Sequence, residues 1–546
     1  MSNPGSTRPA GGVVRVPPYG SRRVPVGARD RRARFLPPPP GRARLTDDPP
    51  AVAVAGGGIA GFAAATVLAE RGARVTLLER ETSLGGRLAG RPVRLADGSR
   101  ATMSRGFHAF FRQYYNLRAL LRRVDPGLGM LRPLPDYPLR HSSGLCDSFR
   151  RVPRTPPWSA AGFVALSPSF GARDLLRMDP VAALPLLDVS AAHIHRALDD
   201  TSAHDFLGSI RFPRAARHLA FEVFSRSFFA DPRELSAAEM VLMFHIYFLG
   251  SSEGLLFDVP DEPFPAALWD PLAGRLEALG ARVETGTPAE RVEPLPDGGF
   301  GVVAGGADRR FDAVVLALDT DGLRGLVARS PRLGDAAWRE RVGRLRTAPP
   351  FLVSRLWLDR PVRPERPGFL GTSGYGSLDN VSVLDRWEGE AARWAARSGG
   401  SVVELHAYAL PEDTEPSAEQ ELLLGQLHRV YPETRAARVL DARHEWRADC
   451  PAFPVGGHPD RPTVRTGVPG LVVAGDLVAT GLPVALMERA ATSGFAAANV
   501  LLHRWGVRGE PLFTVPDGGR SRALRALARW GRGRTSKEST TAPART

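Results

Sequence analysis

One stretch decides the fold of this 546-residue chain: Ala51-Val52-Ala53-Val54-Ala55-Gly56-Gly57-Gly58-Ile59-Ala60-Gly61. Its apolar first half, Ala51 to Ala55, predicts a short buried parallel strand, and the glycines after it predict a tight turn. The Ala-rich segment Phe62 to Glu70 then predicts a helix, and Val75 to Glu79 predicts a second strand. Strand, turn, helix and strand together indicate a compact βαβ unit.

Three glycines of this stretch match the dinucleotide-binding pattern G-x-G-x-x-G: Gly56, Gly58 and Gly61. The first permits the tight turn, the second lets the backbone approach a pyrophosphate, and the third lets the helix pack on the strand with its N-terminus directed at the phosphates. Glu79 follows Gly61 by 18 residues, close to the roughly 20 expected of an acid that accepts hydrogen bonds from ribose hydroxyls. The sequence therefore predicts a nucleotide cradle formed by Gly56, Gly58, Ala60, Gly61, Glu79 and Arg80.

A second pattern of this kind, Gly299-Phe300-Gly301-Val302-Val303-Ala304, lacks the same context. An Asp-Gly turn precedes it and another glycine pair follows it, but no helix is predicted after it. This arrangement indicates a β-hairpin. The sequence therefore predicts one dinucleotide site and no NAD(P)H domain.

The net charge of +14 is concentrated at the two ends of the chain. Residues 1–50 contain ten arginines and three aspartates, and residues 517–546 contain eight basic and two acidic residues. The body between them is nearly neutral, which argues against a basic nucleic-acid groove. We expect no nucleic-acid partner.

Lysine and cysteine usage excludes several chemistries. Lys537 is the one lysine of the chain, so the body of the protein offers none for a Schiff base or a general base. Cys146 and Cys450 have neither metal-ligand nor redox spacing, and the histidines form no HExxH zinc pattern. The sequence predicts no metal site.

Two further segments resemble the flavin-dependent amine oxidase and phytoene desaturase superfamily. Leu84-Gly85-Gly86-Arg87 resembles the glycine doublet and arginine that lie against the FAD phosphates in that superfamily, and Gly470 to Asp476 with the helix after it resembles its C-terminal signature. The chemistry agrees, because residues without side chains admit close backbone contact and a guanidinium matches phosphate oxygens. The resemblance implies FAD as the cofactor and contacts from Gly86, Arg87, Gly475, Asp476, Met487 and, at the adenine, the backbone of Val292.

A third segment resembles the carotenoid branch of the same superfamily: Gly106-Phe107-His108-Ala109-Phe110-Phe111-Arg112-Gln113-Tyr114-Tyr115-Asn116-Leu117. The resemblance implies an α/β fold in which a Rossmann-type FAD-binding domain, glutathione-reductase-like, is interleaved with an α+β substrate domain. From Phe110 onward the spacing of apolar residues also predicts a helix. The expected divisions are a disordered Arg/Pro-rich tail (1–49), three parts of the FAD-binding domain (50–133, 265–325 and 465–508), a helical substrate- and membrane-facing domain (134–264), the substrate-domain sheet (326–464) and a basic tail (509–546).

The resemblance also implies a reaction. It indicates an FAD-dependent oxidoreductase that desaturates the β-ionone rings of β-carotene or a related carotenoid with a 1,2-methyl shift, so that aromatic rings result. Hydride loss from an allylic ring carbon would give a cation, the methyl group would migrate from the gem-dimethyl carbon, and proton loss with a further dehydrogenation would give the arene. Since no NAD(P)H domain is predicted, the electrons would pass to an external acceptor, quinone or O₂.

Two residues are candidates for catalysis. We expect His108 to accept a proton or to stabilise the cation, because imidazole titrates near neutrality; a histidine that hydrogen-bonds the cofactor or the backbone is the open alternative. Glu488 is the second candidate, and a structural role at the start of a helix is its alternative.

Other activities of the superfamily stay open at this point. An acyclic carotene desaturase of the phytoene or lycopene type, or a carotene isomerase, is the main alternative. An amine oxidase is disfavoured, because the lysine that many of those enzymes place near the flavin has no counterpart in this sequence. A helical stripe of Met240, Met243, Phe244, Tyr247 and Phe248 fits either an ordinary core or the lining of a tunnel for a hydrocarbon.

The C-terminal segment Arg520 to Arg532 predicts a short basic amphipathic helix. Such a helix lies on an anionic membrane or forms a solvated tail. No apolar run reaches the roughly 18 residues of a spanning helix. We expect a cytoplasmic protein that is peripherally associated with the inner face of the cell membrane.

Overall fold

The computed structural model describes residues 29–46, 48–217 and 228–539. Within these ranges the strands, in chain order, are β1 (Arg34–Leu36), β2 (Ala51–Ala55), β3 (Arg74–Leu78), β4 (Gly90–Arg94), β5 (Arg100–Ser104), β6 (Phe110–Phe111), β7 (Leu131–Pro133), β8 (Leu139–His141), β9 (Cys146–Asp147), β10 (Phe257–Pro260), β11 (Arg282–Glu284), β12 (Ala289–Pro294), β13 (Phe300–Ala304), β14 (Ala307–Phe311), β15 (Ala313–Leu316), β16 (Phe351–Leu358), β17 (Phe369–Ser373), β18 (Asn380–Val383), β19 (Ser401–Ala407), β20 (Val439–Arg447), β21 (Leu471–Val473) and β22 (Leu512–Thr514).

The α-helices of the same ranges are α1 (Ile59–Glu70), α2 (Tyr115–Leu121), α3 (Trp158–Leu166), α4 (Ala172–Arg177), α5 (Ala191–Leu198), α6 (Ala203–Ser209), α7 (Ala237–Phe244), α8 (Asp270–Ala278), α9 (Thr320–Arg329), α10 (Ala336–Arg344), α11 (Gly389–Ser398), α12 (Pro416–Val430), α13 (Leu486–Arg504) and α14 (Arg522–Ser539). Two π-helical turns, His245–Gly250 and Pro265–Trp269, lie directly after α7 and directly before α8. No helix in the described parts of the chain combines the length and the apolar composition of a membrane-spanning segment.

A five-stranded sheet forms the centre of the predicted FAD-binding domain. Its strand order is β11-β3-β2-β15-β21, and every neighbouring pair is parallel. The residues of β2 and β15 are almost completely buried, as expected for strands covered on both faces. The predicted βαβ unit, with β2, α1 and β3, and the predicted α/β fold are confirmed.

Helices α1 and α13 pack closely against each other on one face of this sheet. The contact passes through Gly494, where a Cβ atom would overlap the carbonyl oxygen of Ala60 and lie 2.7 Å from the Cβ of Ala63. Small residues at this crossing therefore let the first and last parts of the FAD-binding domain approach each other. The sequence pattern of either helix alone gives no sign of this contact.

The second glycine pattern forms an antiparallel hairpin, as predicted. β13 pairs with β14 and with β12, and these three strands form a separate small sheet. The described residues contain no helix directly after this pattern, since Ala304 is followed by a turn into Ala307.

A seven-stranded sheet forms the core of the predicted substrate domain, in the order β20-β16-β19-β18-β17-β8-β9. Its last two strands come from the segment 134–264 that was predicted to be helical, so that prediction needs correction at this point. The predicted helix from Phe110 is also wrong in its start: Phe110 and Phe111 form β6, which pairs with β10, and α2 begins only at Tyr115. Pairing with β10 satisfies the backbone there in place of helical hydrogen bonds.

The prediction of a disordered tail over residues 1–49 is wrong for its described part. Strand β1 pairs antiparallel with β22, and the Phe35 ring packs against the Phe513 ring with centroids 5.4 Å apart. The buried carboxylate of Asp30 accepts hydrogen bonds from the backbone N–H of Ser252 and from the Arg520 guanidinium. These long-range contacts fix residues whose composition alone predicts disorder. The remaining tail residues, 1–28, 47 and 540–546, lie outside the described residues.

The crossing at Gly494 gives a direct test of this packing. Gly494→Ala should lower the free energy of unfolding by about 1–3 kcal/mol, because an added methyl group forces α1 and α13 apart. Thermal or urea unfolding of the FAD-loaded protein measures the change. Gly425→Ala in α12 is the matched control: a Cβ there meets no atom within 4 Å, so the higher helix propensity of alanine should leave stability unchanged or slightly increased. Equal effects at the two positions would contradict the packing argument.

Candidate active site

A cavity of about 800 Å³ opens at the carboxyl ends of the parallel strands and extends to the seven-stranded sheet. Ligands of open α/β sheets bind at this edge. Part of the wall is polar and contains the predicted cradle. The rest is rich in aromatic rings: Phe107, Phe111, Tyr137, Phe149, Phe229, Tyr247, Phe248, Phe257, Phe351, Phe369 and Tyr408.

The glycines of the cradle have the three roles that the pattern predicts. Gly56 has φ +110°, and a Cβ there would overlap the carbonyl oxygen of Ala317. A Cβ at Gly61 would overlap the carbonyl oxygen of Gly56, so this glycine allows α1 to pack on the turn. Gly58 faces the cavity with no described atom closer than 3.9 Å to its Cβ position. It is also the N-cap of α1, and no side chain caps that end. The cradle therefore fits a pyrophosphate.

Glu79 lies at the cavity wall next to the glycine turn. One carboxylate oxygen accepts a hydrogen bond from the Gly57 N–H at 2.7 Å, and the other accepts one from the Glu81 N–H at 2.9 Å. The carboxylate thereby holds the turn in shape and presents its acceptor atoms toward the cavity. Arg80 also lines the cavity and donates a hydrogen bond to Glu81 at 3.0 Å.

Two predicted cofactor residues from opposite ends of the chain form an ion pair. The Arg87 guanidinium donates to the Asp476 carboxylate at 2.6 Å, although 389 residues separate them in sequence. Next to them the Gly475 N–H donates to the Ser493 hydroxyl at 2.9 Å, which ties the turn after β21 to α13. The structure thus brings together the two segments that resemble FAD-binding signatures.

The predicted cofactor residues that line the cavity are Gly56, Gly58, Ala60, Glu79, Arg80, Gly86, Arg87, Gly475, Asp476 and Met487. Gly61 and Val292 do not. Gly61 packs behind the turn, against the carbonyl of Gly56, and the predicted contact of Val292 needs correction. Its side chain is completely buried in the core, and its N–H donates to the Ser330 hydroxyl at 3.0 Å. The cavity wall is formed instead by Ala289 and Glu290, at the start of the same strand.

His108 lies at the cavity wall, half-buried. Its Nδ1–H donates to the carbonyl of Gly106 at 2.9 Å, and its ring meets the Phe264 ring edge-on. Burial lowers the pKa of His108 to about 4, so the imidazole is neutral near pH 7. The backbone hydrogen bond that was the open alternative is present, and it leaves Nε2 as the acceptor atom of the neutral ring.

Glu488 points away from the cavity and does not line it. Its carboxylate accepts hydrogen bonds from the Asn116 N–H at 2.8 Å, the Asn116 side chain at 2.8 Å and the Leu117 N–H at 3.0 Å. Burial raises its pKa to about 8, although these donors oppose the shift. The candidate catalytic role is therefore replaced by a structural one: Glu488 binds the first turn of α2.

The aromatic part of the wall combines residues that the sequence singled out with others that it did not. Phe107 packs between Phe257, Phe369 and Trp387, with ring centroids 4.2–6.0 Å away. The stripe that begins in α7 and continues into the π-helical turn after it serves both functions left open above: Tyr247 and Phe248 line the cavity, whereas Met240 and Met243 lie in the core. The aromatic string at 106–117 and the stripe that ends at Phe248 gave a signal, whereas the other rings, such as Tyr137, Phe149 and Phe369, come from scattered segments of the chain.

Comparisons with known proteins agree with this geometry. The sequence model of the family described as flavin containing amine oxidoreductase matches residues 59–502. The chain is 71% identical over 500 residues to a carotenoid phi-ring synthase of Streptomyces griseus, an alignment that covers 92% of this chain and 97% of that protein. It is 28% identical to a carotenoid phi-ring synthase of Chlorobaculum tepidum, with 87% and 92% covered. A solved putrescine oxidase shares the fold, with a TM-score of 0.62 at 20% identity, covering 83% of this chain and 99% of that chain.

The cofactor cradle can be tested at Glu79. Glu79→Gln should weaken FAD binding about tenfold or more, because the amide has one acceptor oxygen for the two N–H groups that the carboxylate now binds, and a charged hydrogen bond contributes about 1.5–3 kcal/mol. The flavin content of the purified protein and FAD titration of the deflavinated protein measure the effect. Glu277→Gln, on the exposed face of α8, is the control. Unchanged affinity in Glu79→Gln would contradict the assignment.

Proposed function

This chain belongs to the flavin containing amine oxidoreductase family, and we propose that within it the protein is an FAD-dependent carotenoid oxidoreductase that converts β-ionone rings into aromatic rings. The proposed substrate is β-carotene or a related carotenoid, and the proposed product is of the isorenieratene type, as made by bacterial isorenieratene synthases. The observation that carries the proposal is one continuous cavity whose wall joins the FAD cradle to an aromatic chamber.

The chemistry of the chamber favours a hydrocarbon substrate over an amine. Rings such as Phe107, Tyr137 and Phe369 pack against one another at the wall, with Tyr137 and Phe369 centroids 4.7 Å apart. Apolar walls bind a polyene by burial of apolar surface, and aromatic faces attract a cation. The high identity to a carotenoid phi-ring synthase supports the same substrate class.

FAD, when bound, supplies a two-electron acceptor for the ring. The chain itself positions one ring of the polyene, excludes water that would trap a cation, and places neutral His108 at the wall. We propose that the uncharged imidazole stabilises the ring cation through Nε2 during the 1,2-methyl shift. A protonated imidazole at this place would repel the cation, so the low pKa of His108 suits the reaction.

A second function fits the same cavity: desaturation of an acyclic carotene of the phytoene or lycopene type, or isomerisation of a carotene. The apolar wall does not distinguish a ring from an open chain. An amine oxidase fits less well, because the lysine that many of those enzymes place near the flavin has no counterpart in this sequence. For the carotenoid reactions that are oxidations, we propose quinone or O₂ as the electron acceptor.

We also propose that the protein binds the inner face of the cell membrane, because an apolar carotenoid dissolves in the hydrocarbon of a bilayer. Twelve large apolar side chains are exposed among the described residues, and seven of them lie within 158–181 or on α14. They are Trp158, Leu166, Leu175, Leu176, Val181, Leu527 and Trp530. Helix α14 packs beside Leu184–Leu187, and its Arg525 and Arg529 pair with Asp188. Exposed Arg173 and Arg177 flank the apolar residues of α4, a combination suited to anionic lipid.

Product analysis tests the proposed reaction. The purified FAD-loaded protein, supplied with β-carotene and a quinone under anaerobic conditions, should give a carotenoid that has lost four hydrogen atoms per converted ring, with quinol formed in step. Mass spectrometry and the absorption spectrum identify the product, and the Glu79→Gln protein provides the baseline. Unchanged β-carotene, together with conversion of phytoene or lycopene, would instead establish the second function.

Vesicle binding tests the proposed membrane surface. Trp158→Glu combined with Leu176→Glu should weaken binding to phosphatidylglycerol vesicles about tenfold or more, because each burial of a large apolar side chain contributes about 1.5–3 kcal/mol. Co-sedimentation measures the affinity. Leu422→Glu, at an exposed site of α12, is the control. If the double variant binds vesicles as tightly as the unchanged protein, this surface is not the membrane contact.

A further inference from the structure

Three side chains form a hydrogen-bonded row along one face of the substrate-domain sheet. Glu404 and His406 lie in β19, and Tyr408 follows its end, so the spacing of two places all three on the same face. The Glu404 carboxylate lies 2.9 Å from His406 Nε2, and His406 Nδ1 lies 2.6 Å from the Tyr408 hydroxyl. The row runs from a buried carboxylate to a phenol at the wall of the cavity.

The direction of each hydrogen bond follows from the charge of Glu404. Burial opposes ionisation of this carboxyl group, but the Arg355 guanidinium at 2.7 Å and His406 outweigh burial and hold its pKa at about 2. An ionised carboxylate only accepts, so His406 Nε2 carries the proton and donates a hydrogen bond to Glu404 at 2.9 Å, which takes precedence over the longer approach of the Phe107 N–H to Nε2 at 3.4 Å. Nδ1 is then the acceptor, and the Tyr408 O–H donates to it.

The surroundings hold the phenol in place at the wall. The Asn380 amide donates to the Tyr408 oxygen at 3.1 Å, and the Phe229 ring meets the Tyr408 ring edge-on with centroids 4.7 Å apart. Gly106, at φ +92°, packs against the imidazole of His406, and a Cβ at this position would overlap the ring. The row therefore adjoins the segment that contains His108.

We propose that Tyr408 accepts the proton that the ring of the substrate loses during aromatisation, and that His406 and Glu404 act as positioning residues that relay and stabilise this proton. The proposal rests on the proposed function and adds the base that the reaction needs.

The proton transfer balances as follows. The C–H bond of the cationic ring breaks, its electron pair forms the new C=C bond, and its proton passes to the Tyr408 oxygen. In the same step the phenol proton passes to His406 Nδ1, so tyrosine is neutral before and after. The resulting imidazolium is stabilised by the Glu404 carboxylate, and it returns the proton to solvent after product release. Burial raises the pKa of Tyr408 well above its usual value, so a concerted relay is favoured over a separate phenolate.

His108 is less suited to this task than the row. Burial holds His108 neutral, and its Nδ1 hydrogen bond goes to a carbonyl rather than to a carboxylate. His406, in contrast, has an ionised partner that stabilises the charge it gains. Asp379 is the competing proton acceptor, because this residue also lines the cavity. Its carboxylate accepts a hydrogen bond from the Tyr408 backbone N–H at 2.6 Å.

The test is a double-mutant cycle on the FAD-loaded protein with β-carotene as substrate. Tyr408→Phe preserves the shape of the ring and should lower kcat for aromatic product about 100-fold, with KM and flavin content unchanged, because general acid–base catalysis contributes roughly 10²–10⁴-fold. His406→Gln should have a similar effect. The double variant should be no slower than the single variants, because residues that act as one unit are not additive.

Two further variants complete the test. Tyr431→Phe removes another buried hydroxyl of the substrate domain, one without a hydrogen-bond partner among the described residues, and it should leave kcat unchanged. The proposal is overturned if Tyr408→Phe keeps kcat, if its effect and that of His406→Gln are additive, or if Asp379→Asn alone abolishes aromatic product. Absence of aromatic product with the unchanged protein would instead refute the proposed function itself.

Discussion

The ion pair between Arg87 and Asp476 is the contact on which the site depends. Both residues lie at the carboxyl edge of the parallel sheet, one after β3 and the other after β21, and their side chains are largely withdrawn from water. Two charges in such a place are tolerated because each compensates the other; loss of either would leave a buried charge without its partner. The pair joins the first and last segments of the FAD-binding domain directly at the cavity wall. The glycine cradle and the turn at Gly475 take their relative positions from this junction.

Two other buried acidic side chains connect segments that are distant in the chain. Glu239 in α7 binds Arg461 and Arg489, and so connects the helical region to the segments on either side of β21. Burial opposes ionisation of Glu239, but the two guanidinium groups outweigh it and hold its pKa well below the usual value. Glu488 differs, because burial raises its pKa; it accepts hydrogen bonds from the first turn of α2 and so connects two parts of the predicted FAD-binding domain. The shape of the cavity therefore depends on contacts that lie outside it.

Within the cavity, the polar and the aromatic parts of the wall suit different ligands. The cradle presents backbone, an acid and an arginine, as a dinucleotide requires. The chamber presents mainly aromatic rings, with Asp379, Asn380 and the Tyr408 hydroxyl among them. The row that ends at Tyr408 differs from these rings, because the His406 imidazole links the buried Glu404 carboxylate to a hydroxyl at the wall. His108 lies in the segment that adjoins His406, and it stays neutral. In the proposed reaction His108 stabilises the cation, whereas the neighbouring His406 takes up the proton.

The sequence by itself determined the βαβ unit, the nucleotide cradle and the hairpin at 300–311, because each depends on residues that are close in the chain. Glycine spacing and apolar runs carry that information locally. It did not place Val292 or Glu488, since the direction in which a strand or helix residue points depends on what packs against it. Only the tertiary structure decided the pairing of Arg87 with Asp476 and the ordering of residues 29–46. The tertiary structure alone also placed the row of Glu404, His406 and Tyr408 beside Gly106. Contacts between distant segments form when the domains pack together, and no local pattern encodes them.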